Sequence, residues 1–183
     1  MPSGGKPSPG PAPVYVGMDP GASGGIAYIK NGVAEAGKQA VTDADTWLVV
    51  SSIVKANTVY GAETLFRHNV FAVIEKVGGY IKGGEDGSGG AQPGSAAFKF
   101  GASYGKLLMA LTAAGIPFEE VTPQKWQKGL GVPPRKKDET KTQFKNRLKA
   151  KAQQLFPGVK VTLAVADALL LAEFCRRSRT GTL

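Results

Sequence analysis

Near the end of the chain, VTLAVADALLLAEFCRR places residues 163–177 in one strongly apolar helix, and this segment restricts the fold more than any other. A helix of that kind belongs inside a layered core, where the surroundings exclude a lone charge, yet Asp167 sits in it. The carboxylate must be paired or put to use. At 183 residues the length is that of one compact domain, with a core large enough to need no disulfide.

The segments before that helix read as alternating strands and helices. Residues 1–13 (MPSGGKPSPGPAP) hold almost nothing apolar and are expected to form a flexible tail. The domain is expected over residues 14–178, with 179–183 a short C-terminal tail. VYVGM and GGIAYIK flank Asp19-Pro20-Gly21 as a hairpin, and NGVAEAGKQ, opened by Asn31-Gly32, makes a third strand. A helix starts near Asp43, with Trp47, Val50, Ile53 and Val54 at helical spacing, and FAVIE (71–75) is a buried fourth strand.

Glycine is so frequent in VGGYIKGGEDGSGGAQPGSAAF that a long loop is expected there. Residues 98–114 then form a helix with Phe100, Tyr104, Leu107, Leu108 and Leu111 on its buried side. IPFEEV is a short fifth strand, and Thr122-Pro123 starts a helix over PQKWQKGL. Residues 140–156 form an amphipathic helix with Phe144, Leu148, Ala152 and Leu155 inward. The fold class is therefore α/β: a mixed five-stranded sheet with helices on both faces, the ribonuclease-H-like layout.

Composition narrows the function. One cysteine, Cys175, and one histidine, His68, exclude a disulfide framework and an ordinary Cys/His zinc site, so any metal must be held by carboxylates. The same scarcity argues against a Ser-His-Asp or Cys-His hydrolase. Cys175 reads as a small core residue and His68 as a surface or satisfied histidine. The net charge is +9, and it is unevenly placed. Up to Glu119 nine basic residues balance nine acids, while from Glu120 onward fourteen basic residues face five acids. The C-terminal third is thus the expected polyanion site, with nucleic acid the leading partner. No run approaches the ~20 apolar residues of a membrane span, and the start lacks the order of a signal peptide, so a cytoplasmic location is expected, that of the host if the chain is phage-encoded.

Three acids occupy unusual places: Asp19 ends the first strand, Glu75 ends the fourth, and Asp167 lies in the apolar helix. Strands one and four of such a sheet are often neighbours, so two carboxylates can converge at their ends and the helix can add a third. A cluster of this kind repels itself unless a cation is present. Oxygen-only ligands favour Mg²⁺ or Mn²⁺, and two ions roughly 3.5 to 4 Å apart can activate water and stabilise the leaving oxygen in phosphodiester hydrolysis.

GMDPGASGGIAYI, FAVIEKV and VADALLLAEFCRR, in that order, resemble the signature blocks of RuvC-type Holliday-junction resolvases, especially small phage-encoded versions. FKFGASYGKLL and TPQKWQKGLG are also similar to that family, so the resemblance covers residues 14–177. It implies a homodimer that uses Mg²⁺ or Mn²⁺, two ions per site, to nick opposing strands of a four-way DNA junction. By motif, Asp19, Glu75 and Asp167 are the implied catalytic and metal-ligating residues.

Two departures stand out. Better-known members carry another aspartate three residues before Asp167, where this chain has Ala164. Glu173 is a poor replacement, since six residues along a helix turn it about 120° away. Family members also place an aromatic soon after the glutamate to stack on opened bases; here Gly78 and Gly79 precede Tyr80, the candidate for that role.

Lys125 and Lys128 flank Trp126, Arg135-Lys136-Lys137 follow two prolines, and Lys141, Lys145 and Lys149 repeat along one helix face. Lys125, Lys128, Arg135, Lys136, Lys137, Lys141 and Lys145 are the candidate DNA-binding residues, the loop triplet foremost. The lysine stripe has the competing reading of a solvated face, and Trp126 reads more readily as core. The 98–114 helix is the expected dimer interface. Rival functions are a branched-DNA-binding protein with weak or lost cleavage, which Ala164 suggests, and a nuclease with relaxed choice among branched substrates. DPGASGG also resembles the first phosphate loop of actin-like ATPases, but the second phosphate loop and second domain of that architecture do not fit this length.

Overall fold

The computed structural model describes residues 11–61, 64–76 and 94–183. Its main sheet has the order β3-β2-β1-β6-β7, formed by Val33–Lys38, Gly25–Lys30, Val14–Asp19, Val70–Glu75 and Phe118–Val121. β1 runs antiparallel to β2 and parallel to β6, so the sheet is mixed, as expected. The first and fourth expected strands are direct neighbours.

Two helical layers cover the sheet. On one face α1 (Asp43–Lys55) and α2 (Gly94–Ala113) bury Val50, Ile53, Leu107 and Leu111 against Val14, Val16, Met18, Ala72 and Ile74. On the other, α3 (Pro123–Gly129), α4 (Lys141–Leu155) and α5 (Leu163–Thr180) enclose Tyr15, Val73, Trp126, Leu148 and the apolar run of α5. Every residue from Val165 to Cys175 is buried, which accounts for a sequence apolar all round. α5 lies directly on the sheet because β1 offers no side chain at Gly17, where a Cβ would stand 2.2 Å from the Ala168 carbonyl oxygen and 2.2 Å from the Ala172 nitrogen. Gly25 permits the same approach further along, under the Ala164 carbonyl.

Several helix starts follow the sequence closely. Thr42, Thr122 and Thr140 cap α1, α3 and α4, each accepting the amide three residues on, and Thr140 with Gln143 completes a capping box.

Five expectations need correction. β4 (Thr58–Gly61) and β5 (Thr64–His68) form a separate antiparallel hairpin that the sequence reading left out, and His68 ends its second strand. α2 begins at Gly94 rather than Phe98, and Phe100 is 38% exposed instead of buried. Trp47, at helical spacing with the core residues of α1, is 45% exposed, because its position falls off the narrow face that Val50 and Ile53 bury. α5 runs on to Thr180, where Gly181 ends it in the left-handed conformation. Most of the expected N-terminal tail and most of the glycine-rich loop, residues 77–93 with Tyr80 among them, lie outside the described residues. Among the described residues no helix is long and apolar enough to cross a membrane.

Candidate active site

Alternation along the strands aims two carboxylates at α5. On β1, Val14, Val16 and Met18 face α1 and α2, so Gly17 and Asp19 face the other way. On β6, Ala72 and Ile74 likewise face α1 and α2, which leaves Val73 and Glu75 on the α5 side. β1 and β6 are parallel and paired in register through Met18 and Ile74, so Asp19 and Glu75 emerge together at one end of the sheet. α5 crosses that end and adds Asp167, 3% exposed.

The three carboxylates act on one another. Burial, reinforced by the charges of Asp167 and Glu75 and opposed by Lys145, pushes the Asp19 carboxyl up to about 8. Glu75 is raised as well, mainly by burial. A hydrogen bond from Trp126 works against that shift and Asp167 works with it. Trp126 is fully buried and donates its indole N–H to Glu75 Oε2 at 2.8 Å.

Lys145 completes the cluster from α4. Its ammonium donates to Asp167 Oδ2 in a close ion pair. Burial opposes the lysine charge, but Asp167, with Asp19 and Glu75 behind it, outweighs burial and holds the Lys145 pKa above its ordinary value. Among the described residues Asp167 Oδ1, which is buried, has no hydrogen-bond partner. A buried carboxylate oxygen left so is costly unless a proton or a cation meets it.

The donor chemistry suits a hard divalent ion, with three carboxylates from three elements and one orphaned oxygen among them. Among the described residues, however, no three Asp, Glu, His or Cys side chains already stand in a ligand cage. Among the described residues the positive charge inside the cluster is that of Lys145.

The other candidates divide by position. Lys128, Arg135, Lys136, Lys137 and Lys141 are exposed, as a phosphate-binding surface requires. Lys125, also exposed, pairs with Glu119 on β7. Lys145 departs from the solvated stripe, since its half-buried side chain ends in an ion pair on buried Asp167. Glu173 is held by Arg176 at 2.8 Å and Arg177 at 2.7 Å, so it is a structural anion rather than a replacement for the missing aspartate. Cys175 is a core residue whose thiol burial pushes up to about 12.

Two contributors escaped the sequence reading. Trp126 orients Glu75, and the rule that a buried indole seeks an acceptor was the available signal. Arg147 donates to both carboxylate oxygens of Glu139 at 3.0 and 2.9 Å and to the carbonyls of Pro133 and Pro134. It thereby clamps the loop that presents Arg135, Lys136 and Lys137. No local pattern announces that contact.

No protein-family model and no curated protein sequence matches the chain. Among solved structures the chain is similar to Thermus thermophilus RuvC in complex with a Holliday junction substrate, at 18% identity and a TM-score of 0.54, covering 93% of this chain and 97% of that one. A second Thermus thermophilus RuvC structure aligns at 18% identity with a TM-score of 0.49, over 92% and 97% of the two chains. The shared five-stranded mixed sheet with helices on both faces is the ribonuclease-H-like fold of RuvC, and that is the fold of this chain.

Proposed function

We propose that this chain is a metal-dependent endodeoxyribonuclease that nicks four-way DNA junctions by phosphodiester hydrolysis. The observation that carries the reading is the meeting of Asp19, Glu75 and Asp167 at one sheet end, with Asp167 Oδ1 buried and unpartnered among the described residues. Asp19, Glu75 and Asp167 would hold Mg²⁺ or Mn²⁺, two ions at full occupancy, and such ions supply an activated water and charge stabilisation at the scissile phosphate. Trp126 fixes the direction of Glu75. The buried floor of α5 excludes bulk water beneath Asp167. The exposed Arg135, Lys136 and Lys137, with Lys128 and Lys141, would neutralise phosphates of the junction arms, and Tyr80 would stack on an opened base.

Cutting two opposed strands requires two such sites, hence a homodimer. Phe98, Ala102, Gly105 and Met109 lie along one exposed face of α2, with Phe98 77% and Met109 62% exposed, and this face is the proposed two-fold contact. Light scattering showing only monomer, with and without junction DNA, would refute it. The setting of such an enzyme is the cytoplasm.

The test is direct. The protein is incubated with four-way, three-way, flap and linear DNA in Mg²⁺ and in Mn²⁺, and the cuts are mapped. Paired nicks on the four-way substrate are expected; equal cutting of all branched forms would indicate a relaxed nuclease. Ala164 and the Lys145–Asp167 pair favour one second reading, a junction-binding protein with little cleavage, which binding without metal-dependent nicks would reveal.

A further inference from the structure

The carboxylate cluster carries a cation of its own. Lys145 reaches Asp167 from a different helix, and its charge also acts on Asp19 and Glu75. The two partners differ in freedom. The Asp167 side chain is 4% exposed and is fixed to the buried middle of α5, whereas the Lys145 side chain is 40% exposed on a flexible four-carbon stem at the surface of α4. Asp167 cannot retreat and Lys145 can.

We propose that Lys145 is a built-in counter-ion that competes with the divalent cation for Asp167, so that metal loading displaces the ammonium from Oδ2. The inference rests on the reading of Asp19, Glu75 and Asp167 as metal ligands. It follows from charge accounting: without a metal, a carboxylate cluster in a poorly hydrated site needs a positive partner, and among the described residues Lys145 is the cation paired with it. A divalent ion on Asp167 would repel an ammonium held at the same carboxylate. Apparent metal affinity is then reduced by the fraction of molecules in which Lys145 occupies Asp167. In return, the ion pair steadies the fold before metal arrives.

Mn²⁺ binding to the full chain, followed by the electron paramagnetic resonance of free Mn²⁺, tests the idea. Lys145→Met should bind Mn²⁺ more tightly, on the order of tenfold. Lys145→Arg, which keeps the charge, should stay near the parental affinity, and Asp167→Asn should lose the site. In chelator Lys145→Met should melt below the parental protein and gain more from saturating Mn²⁺. A measurement on the unmutated chain guards against a folding defect: the side-chain nitrogen resonance of Lys145, assigned through Lys145→Arg, should be protected in chelator and lose protection as Mg²⁺ is added. Unchanged or weaker affinity in Lys145→Met, with Asp167-dependent binding in the parent, would overturn the competition while leaving the metal site standing. So would a Lys145 resonance unmoved at Mg²⁺ saturation. Absence of Asp167-dependent binding in both proteins would remove the metal-site reading and this inference with it.

Discussion

Trp126 Nε1 donates to Glu75 Oε2 across 2.8 Å, so a side chain locked in the α5 core sets the direction of a carboxylate at the rim of the sheet. Trp126→Phe keeps an aromatic ring but removes that donor. The expected cost is about 1–3 kcal/mol of stability, read from denaturant unfolding. The hydrogen bond lowers the Glu75 pKa, so its loss lets burial raise that pKa further. The alkaline-going rise of the nicking rate should move to higher pH, and an unmoved profile would mean that Glu75 is not the group titrating.

Asp167→Asn preserves volume and removes a charge. Nicking should fall by several orders of magnitude, while junction binding in chelator persists or improves; cleavage at the parental rate would exclude the site. Residue 164 lies within one turn of Asp167 and about 60° around the helix axis. Ala164→Asp should therefore lower the Mg²⁺ concentration for half-maximal nicking, and Mn²⁺ should serve the parental protein better than Mg²⁺.

Asp19 gives a pH signature in the metal-free protein. Its folded pKa of about 8 is above the 3.8 of an ordinary aspartate, so the folded state holds the proton more tightly than the unfolded state. Stability from this group is fully present below about pH 4 and is lost as pH rises to about 8. Asp19→Asn should thus raise the melting temperature more at pH 8 than at pH 5. Equal effects at both values would contradict a burial-raised carboxyl.

The basic loop should control salt dependence. Replacing Arg135, Lys136 and Lys137 with alanine should weaken junction binding and flatten the plot of log affinity against log salt by about 2 to 3. Arg147→Ala leaves the triplet intact but frees Glu139 and the prolines it holds. It should weaken binding by a smaller factor, measured at fixed ionic strength, and an unchanged affinity would show that the clamp does not matter to DNA.

What the sequence disclosed tracks the range of the forces involved. Strand alternation, threonine caps and the apolar run of α5 are local patterns, and they sufficed for the sheet, most helices and the neighbouring ends of β1 and β6. The hairpin of β4 and β5 was missed because each strand is short and neither alternates clearly between apolar and polar residues. Lys145 illustrates the other failure: its spacing with Lys141 and Lys149 suggests a solvated face, and only the crossing of α4 over α5 turns it toward Asp167. Trp126 and Arg147 likewise act on partners 51 and 8 residues away in sequence, through contacts that no local pattern encodes.

The bare backbone at Gly17 has a consequence for how this site tolerates change. Because helix and strand touch main chain to main chain there, the separation of Asp19 from Asp167 is set by a contact with no adjustable part. Even a methyl group at residue 17 would act as a wedge, tilting α5 off β1 and spreading the carboxylates two positions away. A position with no functional group would then behave in a mutational screen like a metal ligand, and the tolerance of the site would be limited by a hinge line as much as by its charges.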